Sequence, residues 1–168
     1  MTNAAEVNTP SDREVRIVRR FNAPAERVFA AYTQPELLKQ WLLGPPGWSM
    51  PECNVDLRES GAYRYVWRMD DGSAEFGSEG IYLEISAPHR IVQTQRMFGV
   101  LAGPMAEEVR CTVEFGDEAG GSVITTTILC PSKENRDAAI ATGMARGTEQ
   151  SYARLEAEVL QSTATRSA

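Results

Sequence analysis

The chain reads as an α+β domain: a curved antiparallel sheet wrapped around a long C-terminal helix, with two short helices after strand 1. Three observations predict this. From about Met50 to Cys130, apolar residues recur with the period of two that marks half-buried strands. The connections in that region are short, so successive strands are antiparallel neighbours. After Pro131 the apolar spacing changes to three and four, which marks one face of a helix. A curled sheet with an apolar concave face needs a cover, and a terminal helix lying in the concavity supplies it.

Residues 1–13 are small and polar with Pro10 among them, and read as a flexible leader. "EVRIVRRF" then alternates, with Val15, Ile17 and Arg19 facing one way. Its β-branched content makes it a strand ending near Phe21. In "NAPAERVFAAYTQPELLKQW" the period becomes helical. Pro24 suits a first helical turn, and Val28, Phe29 and Tyr32 share a face. Thr33 and Glu36 have capping-box spacing, with Pro35 in the first turn of a second short helix. Leu37, Leu38 and Trp41 give that helix its apolar side, and "GPPG" stops it.

The β region opens with a short strand, a bend at "ESG" and a longer strand, "AYRYVWR". Tyr63, Tyr65 and Trp67 share one face of it; Ala62, Arg64, Val66 and Arg68 share the other. "DDGS" is a hairpin turn. "EFGSEGIYLEIS" admits two parities. If Ile81, Leu83 and Ile85 point inward, strict alternation also takes Glu75, Gly77 and Glu79 inward, unless a bulge near Gly77 or Gly80 turns the carboxylates out. The opposite parity puts Phe76 and Tyr82 inside. "EEVRCTVEFGDEAGGSVITTTILC" gives two more strands across a Gly-rich hairpin. The final helix begins at Ser132 as N-cap and presents Ile140, Met144, Thr148, Tyr152, Leu155 and Val159 on one side. Arg154 and Glu158 are spaced to pair on the wet side. Residues 161–168 read as a frayed tail, which leaves 14–160 as the domain.

Composition excludes several function classes. Lys+Arg number 17 against 23 Asp+Glu, a net charge of -6 with no compensating basic cluster. That field repels phosphate backbones and anionic bilayers, so neither nucleic acid nor membrane is an expected partner. No run is long and apolar enough to span a bilayer. "MTNAAEVNTPSDRE" lacks the basic and apolar segments of a secretory signal, and a cytoplasmic location is expected. Cys53, Cys111 and Cys130 are odd in number and form no C-x-x-C, so they read as buried thiols rather than a disulfide framework or zinc site. His89 is the only histidine and follows Pro88 at a turn. Phosphate loops, dinucleotide fingerprints and calcium loops are absent, and no metal or other cofactor is expected.

What can carry function is the space between sheet and helix. Tyr63, Tyr65 and Trp67 offer broad apolar area, and their polar atoms need partners when buried. They either fill a core or line a cavity. Trp41 reads as an anchor at the end of the second helix, and Trp48 as a rim residue beside the stiff Pro-rich turn. Tyr82, Met144 and Tyr152 complete the candidate ligand-binding set. Gly143 and Gly147 weaken the last helix unless close packing or a guest uses the room. Glu79, Tyr65 and Arg96 form a candidate acid–base patch, provided that Glu79 points inward.

"VRRFNAPAERVFAAYTQPELLKQW", "GPPGW", "CNVDLRESGAYRY", "GIYLEISAPHRIVQT" and "GMARGTEQSYARLEAEV", in that order, resemble the activator of heat-shock-protein-90 ATPase homologue-like family of the START-like (SRPBCC) superfamily. The resemblance covers roughly Glu14 to Leu160. It implies the helix-grip fold and a hydrophobic cavity for a small apolar or amphipathic molecule. Members of the superfamily look like carriers of lipids, hormones or polyketides, and some are cyclases or similar enzymes. A cyclase- or hydrolase-like enzyme is therefore one alternative, and a co-chaperone-like interaction domain with a non-functional cavity is another. The eukaryotic co-chaperone carries an additional N-terminal domain for which this chain has no room, which argues against a chaperone partner. A homodimer is compatible with the general frequency of twofold assemblies.

Overall fold

A computed structural model describes residues 3–44, 46–100 and 102–161. Eight antiparallel strands form one curved sheet among these residues: β1 (Glu6–Asn8), β2 (Glu14–Phe21), β3 (Trp48–Val55), β4 (Ala62–Met69), β5 (Glu75–Ser86), β6 (Arg90–Gly99), β7 (Val109–Glu118) and β8 (Gly121–Leu129). Their order is β1-β2-β8-β7-β6-β5-β4-β3, so the meander from β3 to β8 folds back onto β2. Helices α1 (Ala25–Thr33) and α2 (Pro35–Trp41) follow β2, and α3 (Lys133–Ala141) and α4 (Met144–Arg154) follow β8. The last helix runs on through a π-helical stretch, Leu155–Leu160. This is the helix-grip arrangement expected from the sequence. No helix among the described residues is long and apolar enough to cross a membrane.

Glu6–Asn8, inside the segment read as a flexible leader, is a strand. Val7 lies opposite Ile17 and packs on the core margin. Ala5 N–H donates to Glu149 Oε2 at 2.7 Å, which pins the chain start to α4. In the tail, Gln161 is helical, and residues 162–168 lie outside the described residues.

The final helix is broken where the sequence suggested continuity. Gly143 adopts φ +83°, ending α3 and capping α4. Ser132 caps α3 as expected, its Oγ accepting from Asn135 N–H at 3.0 Å. The apolar stripe divides accordingly. Tyr152, Leu155 and Val159 are buried, whereas Ile140, Met144 and Thr148 are half-buried. Arg154 turns to the preceding loop and donates to the carbonyls of Trp41 and Gly44 at 3.1 and 3.4 Å. The capping box does not form. Thr33 Oγ1 donates back to Phe29 O instead, and Gln34 occupies the cap of α2.

Arg19 joins sheet to helix. It sits on the inward face of β2 with Val15 and Ile17, 4 % exposed. Its guanidinium meets Glu149 at 3.4 Å and Glu156 at 3.1 Å, and lies 4.8 Å from the Phe21 ring centroid. A buried cation is tolerated only when so paired.

Two outcomes are expected from this architecture. A Cβ at Gly147 would meet nothing within 4 Å, whereas one at Gly143 would be strained by the positive φ. Gly147→Ala should therefore raise unfolding stability by roughly 0.5–1 kcal/mol and Gly143→Ala should lower it, as read by urea denaturation. Arg19→Met should cost about 3 kcal/mol, the lower end for a broken buried pair because Glu149 is one-third exposed. Adding Glu156→Gln should recover part of that loss, since it removes one stranded charge.

Candidate functional site

The inward face of β4, and of β5 as far as Tyr82, is built by alternation. Tyr63, Tyr65 and Trp67 point in from β4, and Phe76, Ser78 and Tyr82 from β5, because Trp67 pairs with Phe76 and Tyr65 with Ser78. The second parity for β5 thus holds as far as Tyr82; a register shift between Tyr82 and Glu84 then brings Ile85 opposite Ile91 and against the core. Ile81 and Leu83 lie outside, 46 % and 43 % exposed. Two large aromatic rings bury more apolar surface than two aliphatic chains flanked by glutamates, so the alternation settles on the aromatic set.

That parity sends Glu79 outward, away from Tyr65. Glu79 bridges Arg96, at 2.7 Å, and Arg64 on the outer face. The Arg96 hydrogen bond, followed by the Arg64 contact, holds its carboxyl below the usual range. The candidate acid–base patch of Glu79, Tyr65 and Arg96 therefore does not converge: two members are outside and one is inside. Gly77 is used for packing on the same outer face. A Cβ there would overlap the Phe98 ring, over which the Arg64 guanidinium stacks at 4.3 Å.

The aromatic candidates fall into two groups. Trp41 and Tyr152 lie in the helix–sheet core with Tyr32, Phe21 and Phe115. Trp41 Nε1–H donates to Ala31 O at 2.9 Å, and Tyr32 O–H lies 3.0 Å from Tyr152 O. These two are anchors. The other group is a continuous row from Tyr82 through Tyr63, Tyr65 and Trp67 to Phe76 and Trp48, with neighbouring centroids 4.9–6.0 Å apart. Trp67 stacks on Phe76 at 4.9 Å, and its Nε1–H donates to Leu42 O at 2.6 Å. Trp48 is half-buried and packs edge-on against Phe76, with centroids 5.0 Å apart. Met144, at the start of α4, is half-buried against the core.

Polar groups missed in the sequence complete this face. Gln93 opposes Tyr82 and Cys111, placing Gln93, Gln95 and Met97 of β6 on the inward side. All three are half-buried in a face whose other large side chains are almost wholly covered. Glutamine in an alternating strand reads as outward, so only the register of β6 against β5 could have exposed them. Tyr63 O–H donates to Thr94 O at 2.7 Å. The Tyr63 ring lies between those of Tyr65 and Tyr82, with centroids 5.2 and 5.4 Å away. Cys111 Sγ lies 3.5 Å from Gln95 Oε1. Burial pushes the Cys111 thiol up to about 12 and also raises Cys53 and Cys130, in keeping with buried, unreactive thiols. His89 is exposed at a turn, apart from this face.

Two open clefts lie elsewhere. One, of about 490 Å³, runs along Arg19, Glu149 and Glu156, whose charges already satisfy one another. The other, of about 320 Å³, opens beside Arg13, Arg110 and Cys130.

The family described as Activator of Hsp90 ATPase homolog 1-like protein matches residues 22–159. The chain belongs to this family. No match is found among the curated proteins. The crystal structure of a protein from Rhodobacter sphaeroides is similar, at 27% identity over 91% of this chain and 95% of that one, with a TM-score of 0.83. A protein from Nitrosomonas europaea shares the fold at 24% identity, over 93% of this chain and 99% of that one, with a TM-score of 0.77. So does the AHSA1-like protein from Aeromonas hydrophila, at 21% identity over 86% and 96%, with a TM-score of 0.65. Membership of this helix-grip family associates the chain with a fold generally used for small hydrophobic ligands.

The five tyrosines share one property. Each ionises above its ordinary value of 10.0, with burial the first cause; for Tyr82 the value is about 12. The unfolded chain releases these protons near pH 10 while the folded chain keeps them. Their contribution to stability is thus intact below pH 10 and is lost as the pH rises from about 10 towards 12. Phenolate absorbance should lag behind that of free tyrosine and appear together with loss of near-ultraviolet circular dichroism. Normal titration of Tyr82 in the still-folded protein would contradict its burial.

Proposed function

We propose that the protein is a binding module that holds one small, largely apolar molecule against the inward face of β4, β5 and β6. The supporting observation is the half-burial of Gln93, Gln95 and Met97 at the middle of a face whose neighbours are covered. Side chains at the centre of a packed core are normally sealed, so partial access there is room for a guest. Trp67, Phe76 and Trp48 form the aromatic wall; Tyr63, Tyr65 and Tyr82 form the floor. Met144, where α4 restarts after Gly143, stands on the helical side. Trp41 and Tyr152 hold the scaffold rather than the guest. An enzymatic reading loses its acid–base pair, because Glu79 and Arg96 neutralise each other on the far side of the sheet.

The neutral fluorophore N-phenyl-1-naphthylamine tests this reading. It should bind saturably, one per chain, with a blue shift and quenching of tryptophan emission. Gln95→Phe, which fills the centre of the face, should weaken binding at least about tenfold with no loss of unfolding stability, a ring replacing an amide whose transfer from water is costly. Absence of saturable binding, or equal binding by the filled variant, would remove the proposal.

A further inference from the structure

The inward face carries hydrogen-bond donors but no free charge, and this determines what kind of guest it can hold. The cations of the neighbouring strands are exported. Arg64 and Arg96 pair with Glu79, and Arg68 with Glu75, all on the outer face. Arg19, the cation that does point inward, is occupied by Glu149 and Glu156. Arg154 is committed to two carbonyls of the loop after α2. The charges approaching Cys53 from α2, Glu36 and Lys39, are exposed and opposite in sign.

Hydrogen-bonding groups, in contrast, remain on the inward face. Tyr63 O–H donates to Thr94 O, and Tyr65 and Tyr82 bring two more hydroxyls to the same face. Gln95 Oε1 lies 3.5 Å from Cys111 Sγ, and its amide also carries an NH₂ donor. Gln93 adds a second amide two residues along the strand.

Resting on the binding reading above, we infer that the site selects an uncharged guest bearing a hydrogen-bond-accepting oxygen, such as a ketone, ester or ether on an aromatic or alicyclic frame, and rejects carboxylates and phosphates. Tyr82 and Gln95 donate to that oxygen while the Trp67–Phe76 stack covers the apolar frame. A carboxylate in the same place would lose its hydration without gaining a counter-charge. The net charge of -6 also opposes its approach.

Displacement of bound N-phenyl-1-naphthylamine by three compounds of one size separates the terms: naphthalene, 2-acetylnaphthalene and 2-naphthoate at neutral pH. The ketone should bind about tenfold tighter than naphthalene, the scale of one or two net hydrogen bonds, and about a hundredfold tighter than the carboxylate. In Tyr82→Phe and, separately, in Gln95→Leu, the ratio of ketone to naphthalene affinity should fall to about twofold in protein that keeps its near-ultraviolet circular dichroism; two independent variants guard against misfolding of either. Equal displacement by all three compounds, tighter binding of naphthoate, or an undiminished ketone preference in both folded variants would overturn the inference while leaving the binding reading in place. Failure of N-phenyl-1-naphthylamine itself to bind would overturn both.

Discussion

The guanidinium of Arg19 is the point on which the geometry turns. It sits on the inward face of β2, yet its partners belong to α4 and to the π-helical stretch that follows. A charge this deeply buried cannot be left unpaired, so the sheet and the end of the helix must stay in register with each other. The same end carries the Tyr32–Tyr152 hydroxyl pair and the buried Leu155 and Val159. Ala5 adds a strap through Glu149. The helix is therefore anchored at its C-terminal end. At the other end, Gly143 breaks it with a left-handed residue, and Met144 and Thr148 remain only half-covered. The last helix is thus gripped at one end, where Arg19 ties it to β2, and interrupted at the other.

Much of the fold is legible in the sequence because its signals are local and repeated. "AYRYVWR" shows its two faces directly, and the structure keeps Tyr63, Tyr65 and Trp67 inside. Ser132 caps its helix, and "DDGS" turns its hairpin with Gly72 at φ +76°. The failures are cases in which two local signals compete. On β5, aliphatic Ile81 and Leu83 and aromatic Phe76 and Tyr82 claim opposite faces, and only pairing with β4 and β6 decides between them. The capping box at Thr33 is displaced by a hydroxyl that bonds back to its own helix. Gly143 reads as a weak helical residue until its backbone is seen.

The candidate site was legible in its apolar half and hidden in its polar half. Aromatic rings on one strand face announce themselves. Gln93 and Gln95 do not, because polar residues in an alternating strand normally mark the wet side. They point inward because Ile91 and Met97 share their parity and Tyr82 and Cys111 flank them. The two aromatic groups are a related lesson. Tyr152 looks like a wall residue in a sequence, but its ring contacts place it with Phe21 and Trp41 in the helix–sheet core. Composition names the rings; topology distributes them between anchor and wall.

Charge is distributed on the same plan. The outer face of β3–β6 carries a ladder in which Arg64 contacts Glu52 and Glu79, and Glu79 contacts Arg96, with Phe98 filling the gap that Gly77 leaves. Exposed pairs of this kind contribute little each to stability. Their larger consequence is on the other side of the strand. In a period-two element the residues between outward charges point inward, and on β4–β6 these carry no charge. The inward row alternating with Arg64, Glu79 and Arg96 is Tyr63 and Tyr65, Ser78, and Gln95 and Met97. That stretch of the interior presents rings, hydroxyls and amides, while the inward cation of β2, Arg19, keeps its own counter-ions in Glu149 and Glu156.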